Sequence, residues 1–261
     1  MSALFTPSHR GGSGPPLVLL HGFMDTWRIW ELVLPALERR HEVLAPTLPG
    51  HAGGPPLDGD VVDAIEHAMD DAGFATAHLA GNSVGGYLAL RLAARGRART
   101  VVAFAPAGGW AQGDESWRDL LAFQTDLLAQ AKAAAPHADA ILATREGRRR
   151  ATQAIVCRDE HIPTELLLHH LLGMASCRGG PALIERGLRD GFGLDAEQIG
   201  CPVRIVWGTR DRLLPWPSAA ARYRTDWLPH ADWVELEAVG HCPQLDVPVE
   251  TAQLILGWTG V

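Results

Sequence analysis

Six short, almost wholly apolar runs constrain what this chain can fold into: Leu17–Leu20, Glu42–Ala45, His78–Gly81, Thr100–Phe104, Val203–Trp207 and Asp232–Leu236. Runs of this length that lack the polar alternation of a half-wetted strand suit strands buried on both faces. Stretches of helical periodicity lie between or after them. These are Ile29–Arg40, with Trp30, Leu34 and Leu37 on one face; Val61 to about Gly73, carrying Ile65, Ala68 and Met69; Tyr87–Leu92; Ser218–Trp227; and Val249–Trp258. Parallel neighbours can be joined only by crossovers, so strands alternating with helices imply a doubly wound, mostly parallel α/β sheet. Residues ahead of Leu17 read as a Gly/Pro-rich leader.

One interval breaks the rhythm. Residues 107–202 separate two sheet strands, far more than the roughly 12 to 30 residues a βαβ crossover needs. The surplus is helical in character: Ser116-x-x-Asp119 resembles a capping box, an Ala-rich helix ends before Pro136, and Thr164–Met174 is strongly apolar. The expected division is a core of residues 1–108 and 196–261 with a helical cap at 109–195. Because the interval leaves and re-enters at strand carboxyl ends, the cap is expected to cover that edge of the sheet.

At the same edge lies His78–Leu90, HLAGNSVGGYLAL, in which Gly81-Asn82-Ser83-Val84-Gly85 sits on the turn from a strand into a helix. In that context Gly-x-Ser-x-Gly lifts the seryl hydroxyl off the sheet, while the glycines leave room where a Cβ would collide. A seryl hydroxyl is a poor nucleophile at neutral pH, so it needs a neutral imidazole and a carboxylate that orients it. Asp211 and His241 each lie on a loop just past a strand's carboxyl end, in the chain order Ser, Asp, His. Backbone amides best stabilise the oxyanion of a tetrahedral intermediate; Val84 N–H, at the start of the helix, and Phe23 N–H, beside Gly22, are the candidates.

These residues carry a resemblance. HGF at 21–23, LPGH at 48–51, GNSVGG at 81–86, WGTRD at 207–211 and GHCPQLDVP at 240–248 are similar to the successive signatures of the α/β-hydrolase superfamily, in its esterase- and lipase-like group of serine hydrolases with a helical cap. The resemblance implies Ser83 as nucleophile, His241 as base, Asp211 as orienting acid, and the Phe23 and Val84 amides as the oxyanion hole. It excludes close kinship with haloalkane dehalogenases and epoxide hydrolases, which put Asp at the position of Ser83. One departure is Ala52-Gly53-Gly54, where relatives usually carry Gly-x-Ser. Two competitors are less well placed. His51 follows a strand where the superfamily does not put a base, and Asp114 lies beyond Gly108-Gly109 at the cap entrance. Asp246 is expected to cap or charge the first turn of the final helix and to be structural.

Composition narrows the partners. A net charge of −7 argues against binding a phosphate backbone, and the one concentrated basic run, Arg148-Arg149-Arg150, reads as a solvated helix end. No apolar run approaches the ~20 residues of a membrane span, and the amino terminus lacks a signal-peptide pattern, so a cytoplasmic location is expected. The four cysteines, Cys157, Cys177, Cys201 and Cys242, show no metal spacing and read as reduced thiols. His169 and His170 project about 100° apart on a helix, a poor arrangement for one metal. No metal and no organic cofactor is called for. The expected partner is a small-molecule substrate, not nucleic acid, met by a monomer or homodimer. Phe23, Met24, Trp27, Trp110, Trp117, Phe123 and Met174 are the candidate pocket walls, which favours an apolar acyl or aromatic group. The expected reaction is cleavage of a carboxylic ester or thioester. The alternatives are a carbon–carbon bond hydrolase, perhydrolase or acyltransferase of the same fold, and a low-turnover ligand-binding receptor.

Overall fold

The computed structural model describes residues 4–260. Among them seven strands form one sheet: β1 (Ser8–Gly12), β2 (Pro16–Leu20), β3 (Glu42–Pro46), β4 (Ala77–Asn82), β5 (Ala98–Phe104), β6 (Val203–Gly208) and β7 (Asp232–Leu236). Their order across the sheet is β1-β3-β2-β4-β5-β6-β7, and every pairing is parallel except β1 with β3. The six apolar runs are six of these strands. The seventh, β1, corrects the reading of a structureless leader: Ser8–Gly12 pairs antiparallel with Glu42–Pro46. This strand is held by backbone pairing at the sheet edge and its side chains alternate between exposed and half-buried, so no apolar run announces it.

Alternate residues of the continuous apolar strands feed two cores. Val18 and Leu20 of β2, Leu79 of β4, and Val101 and Ala103 of β5 pack on one face with Val62, Ile65 and Met69 of α2 (Val61–Asp71) and Leu88 of α3 (Val84–Ala94). Leu17 and Leu19, Ala80, and Val102 and Phe104 pack on the other face with Leu34 and Leu37. Those two leucines lie on a single turn, α1 (Leu34–Leu37), preceded by a separate 3-10 turn at Trp27–Trp30. The expected helix over 29–40 is therefore broken, because Pro35 enters at the second position of α1 and a proline ring resists continuation from the preceding turn. The expected helix over 218–227 is present without a break, opening as a 3-10 turn and ending as a π-helical one.

Between β5 and β6 the chain builds a layer of its own, with α4 (Ser116–Ala134), α5 (Ala138–Leu142), α6 (Arg145–Thr152), α7 (Thr164–Ala175) and α8 (Gly180–Asp190). The long α4 lies against both α7 and α8. Ser116 is the first residue of α4 and does not cap it; Asp114 Oδ1 accepts from Ser116 N at 2.9 Å instead. After β7 the chain closes with α9 (Pro243–Asp246) and α10 (Pro248–Leu256). No helix among the described residues is long and apolar enough to cross a membrane.

The junction of β4 and α3 depends on glycines. A Cβ on Gly85 would stand 2.2 Å from Leu20 O and 2.5 Å from His21 O, and one on Gly81 would stand 2.2 Å from Gly85 O. The first turn of α3 thus rests directly on the end of β2 and on its own strand. Gly85→Ala should lose about 1 to 3 kcal/mol or more of unfolding free energy in urea denaturation, because backbone would have to move to admit the methyl group.

Candidate active site

Ser83 occupies the turn that these glycines permit. Its backbone, φ 57° and ψ −121°, lies where L residues seldom sit, and that conformation projects the side chain from the strand's carboxyl end. Its amide donates to Phe104 O at 2.9 Å and its carbonyl accepts from Tyr87 N at 3.0 Å and Ala107 N at 3.1 Å, so the turn is pinned to β5 as well as to α3. Among the described residues no hydrogen bond reaches the Ser83 hydroxyl, which leaves it open to a reactant.

Past the ends of β6 and β7, two loops run side by side. Gly208 makes this possible: a Cβ there would stand 2.3 Å from Val239 O and 2.4 Å from Gly240 O. Across the pair, His241 Nδ1 lies 2.7 Å from Asp211 Oδ2, with both residues buried. An ionised carboxylate only accepts, so Nδ1 is the donor of this pair, and Nε2 keeps a lone pair whenever the ring is neutral. The other carboxylate oxygen, Asp211 Oδ1, accepts from Leu213 N at 2.9 Å and Leu214 N at 2.8 Å, fixing the acid.

Two residues with no role expected in the site hold it in register. Asn82, beside Ser83, donates from Nδ2 to His241 O at 2.9 Å and to Phe104 O at 3.2 Å, and its Oδ1 accepts from Gln244 Nε2 at 3.0 Å. It therefore ties the elbow to the His241 loop. Asp246 does not cap the final helix. Its Oδ2 accepts from Gly240 N at 2.7 Å and Cys157 N at 2.9 Å, and its Oδ1 from Arg158 N at 3.0 Å, so one carboxylate joins the His241 loop to the insertion. Cys242 N adds a bond to Ile155 O at 2.8 Å. The Cys242 thiol is buried, and desolvation, followed by the Asp25 and Asp211 charges, drives its pKa well above the ordinary thiol value. It is held as a neutral thiol.

On the opposite side, Gly22 comes so near the elbow that a Cβ there would be 3.3 Å from Ser83 Cβ. Gly22–Asp25 form a turn in which Asp25 N donates to Gly22 O at 3.4 Å and Met24 has φ 63°, a left-handed conformation that costs a non-glycine residue about 1 to 3 kcal/mol. Phe23 N, at this corner, and Val84 N, at the start of α3, donate to no group among the described residues. His21 is fully buried. Its Nδ1 donates to Gly22 O at 2.7 Å and its Nε2 accepts from Leu48 N at 2.9 Å, while desolvation lowers its pKa and keeps it neutral.

Of the two competitors, His51 lines a cavity with Phe23 and Val84, and Asp114 does not. His51 is buried edge-on to His21 and Phe23, and desolvation followed by repulsion from His21 pushes its pKa down to about 3. Its Nδ1 donates to Pro49 O at 3.1 Å and no carboxylate orients it. Asp114 lies at the surface on the approach to α4.

Of the expected pocket residues, Phe23 lines a cavity of about 720 Å³ together with Val84, Tyr87, Leu121 and Phe192. Met174 packs with Phe23 around Met24, Leu128 and Cys177. Met24 is buried in that cluster as packing. Trp27 is turned to β1, its Nε1 donating to Thr6 Oγ1 at 2.8 Å and its ring stacked on His9. Trp110 and Trp117 pack against Phe192, and Trp110 and Phe123 line a separate cavity with Leu213. His169 and His170, read as helix-surface or pocket-lining groups, both face the turn after β2. His169 Nε2 lies 2.9 Å from Thr26 Oγ1, and His170 Nδ1 lies 3.2 Å from Asp25 Oδ2, a charge pairing that is off the line of a good hydrogen bond.

A doubly wound sheet with a serine on a sharp strand-to-helix turn and a buried Asp–His pair at its carboxyl edge defines the class, and residues 17–254 match the model of the alpha/beta hydrolase family. The chain belongs to that family. It is 31% identical over 203 residues to the epoxide hydrolase EphH of Mycobacterium tuberculosis, covering 75% of this chain and 91% of the relative. It is 30% identical over 263 aligned positions to a pimeloyl-[acyl-carrier protein] methyl ester esterase of Aromatoleum aromaticum, covering 92% and 96%. The first of these overturns the expectation that close kinship with epoxide hydrolases is excluded. Among solved structures, a putative lipase of Acinetobacter baumannii superposes with a TM-score of 0.77 at 21% identity, covering 96% of this chain and 85% of that one. A 2-hydroxy-6-oxo-6-phenylhexa-2,4-dienoate hydrolase of a Rhodococcus species gives 0.76 at 20%, covering 98% and 97%. These two likenesses bear on the fold.

Asp246→Asn replaces one of the acceptor oxygens shared by three amides, that of Gly240 buried, and should cost about 1 to 3 kcal/mol in urea denaturation. The Asp25–His170 pair gives a pH signature. Burial opposes the charge on each, yet the attraction between them prevails, lowering the carboxyl pKa and raising that of the imidazole. The Asp25 contribution is present above the ordinary carboxylate value and lost as pH falls through its lowered one. The His170 contribution is present below the ordinary imidazole value and lost as pH rises through its raised one. The stability advantage of the wild type over His170→Leu, followed by thermal unfolding, should therefore be greatest between about pH 5 and 6.

Proposed function

We propose that the protein hydrolyses a carboxylic ester or thioester with an apolar acyl or aromatic group through an acyl-enzyme on Ser83. The observation that carries this reading is the buried Asp211–His241 pair at 2.7 Å, joined through Asn82 to the turn that bears Ser83. In this scheme His241 Nε2 takes the Ser83 hydroxyl proton as Oγ bonds to the substrate carbonyl carbon. The carbonyl oxygen becomes an oxyanion held by the Phe23 and Val84 amides, at the positive end of α3. Collapse breaks the bond to the alcohol or thiol, which leaves with the proton from His241. Water, deprotonated by the same imidazole, then repeats the sequence on the acyl-enzyme and frees the acid.

The cavity of about 720 Å³ beside Phe23 and Val84 has room for a medium acyl chain or an aryl group, and Tyr87, Leu88, Leu121 and Phe192 give it apolar walls. Residues 109–195 act as the cap in this reading. Their helices α4 and α8 roof the cavity, and the insertion is bonded to the loops of His241 and Asp211 and to the turn after β2.

The test is a substrate panel run with wild type and Ser83→Ala: p-nitrophenyl esters from acetate to dodecanoate, methyl esters and acyl thioesters, with a vinylogous diketone and an aryl epoxide as competitors. Ester or thioester turnover should fall at least about 10³-fold in Ser83→Ala, with fluorophosphonate labelling of the wild type alone. Absence of both would leave a ligand-binding protein. Preference for the diketone would make it a carbon–carbon bond hydrolase, and epoxide opening that survives Ser83→Ala would remove the acyl-enzyme altogether.

A further inference from the structure

The turn after β2 has little of its own to hold it. The main-chain bond across it, Asp25 N to Gly22 O, is long at 3.4 Å, Met24 sits at φ 63° where a side chain is strained, and the core adds His21 Nδ1 on Gly22 O at 2.7 Å. A turn of this kind relaxes unless its surroundings over-determine it. Here further determinants come from the insertion. The Met24 side chain is enclosed by Leu128 of α4 and by Cys177, just after α7. Asp25 Oδ2 faces His170 Nδ1 at 3.2 Å, and Asp25 Oδ1 accepts from Thr26 N at 2.8 Å. Thr26 Oγ1 meets His169 Nε2 at 2.9 Å, and Arg28 Nη1 donates to His169 Nδ1 at 3.3 Å. Since Nδ1 accepts from a guanidinium, Nε2 is the donor to Thr26, and His169 is neutral. Desolvation, and then the charge of Arg28, lower its pKa to about 4, in agreement with that assignment. Its neighbour His170 faces the Asp25 carboxylate, whose attraction outweighs burial and raises its pKa. Consecutive imidazoles on one helix thus grip consecutive residues of one turn, one by a neutral hydrogen bond and one by charge.

What the turn presents is the Phe23 amide, two residues from Asp25. We propose that Asp25 and His170 are positioning residues for the oxyanion site: their pairing across the boundary between core and insertion holds Phe23 N–H in the direction of the developing charge, so that the site is complete only while α7 is seated. The inference rests on the reading of Ser83 as an acyl-transfer nucleophile. It adds that the helical layer is part of the catalytic apparatus and not only a roof.

The experiment uses Asp25→Asn, His170→Gln and the double variant, each near in shape to the original. Active sites are counted by fluorophosphonate titration, and kcat, KM and the inhibition constant of a phenylboronic acid, which mimics the tetrahedral adduct, are measured on the best ester of the panel. Losing an oxyanion donor outright costs about 10²- to 10³-fold. A displaced donor should therefore lower kcat per titrated site by about 10- to 100-fold, leave KM within about 3-fold, and weaken the boronate by the same factor as kcat. The double variant should be no worse than the poorer single one, because both substitutions break one linkage. Thr26→Val, which removes only the hydroxyl held by His169, is the second variant and should weaken the boronate by about 3- to 10-fold. Unchanged kcat and boronate affinity alongside a lowered melting temperature would make the pair a stability element and overturn the proposal, as would losses that multiply in the double variant. A wild type without Ser83-dependent turnover overturns the hydrolase reading and takes this inference with it.

Discussion

The close seating of α3 on the sheet is the constraint from which the rest of the site follows. With Gly85 against the backbone of Leu20 and His21, and Gly81 against Gly85, the helix starts lower over the strands than any side chain would allow. Ser83 must then turn within a single residue, in a conformation that only its surroundings make tolerable. The same descent brings the amide of Val84 to the edge of the sheet and the end of β2 beside the elbow. Remove the glycine contacts and serine, helix dipole and second amide all lose their common point of reference.

Around that fixed point Asp211, His241 and the turn after β2 are supported from outside the sheet. Gly208 lets the Asp211 and His241 loops lie against each other, and Asp246 and Cys242 fasten the second of them to residues 155–158 of the insertion. On the far side, α7 reaches Asp25 and Thr26. Buried polar groups are costly unless satisfied. Here each contact that meets this requirement also crosses from one layer to the other, so satisfying the interior and assembling the site are one process.

Much of this was legible in the sequence where the signal is hydrophobic or covalent. Six of the seven strands are apolar runs, and the elbow, Asp211 and His241 stand at strand ends in an order that few other folds would use. What stayed hidden rests on backbone or on distant partners. Ser8–Gly12 joins the sheet through main-chain pairing that SHRGG does not advertise. Pro35 breaks a helix whose apolar spacing alone reads as continuous. Asp246 stands just before a helix, where an acid ordinarily caps, yet it turns to amides 89 and 88 residues away in the chain. Asn82 is hidden inside the motif that names its neighbour, although its amide bridges the elbow to the His241 loop. His169 and His170 share a side-chain type and a helix, and only the groups opposite them, Arg28 and Asp25, set them apart.

The Asp246 carboxylate also bears on how the molecule reaches its native state. Its three amides belong to two segments, one in the middle of the insertion and one in the loop before His241, which Cys242 N also joins through Ile155 O. The His241 loop thus takes its shape only after a long stretch of chain has left the sheet, folded and returned to it. Closing so large a loop costs entropy that no local contact repays in advance. The Asp211–His241 contact depends on that closure and is expected to form late, after most of the sheet.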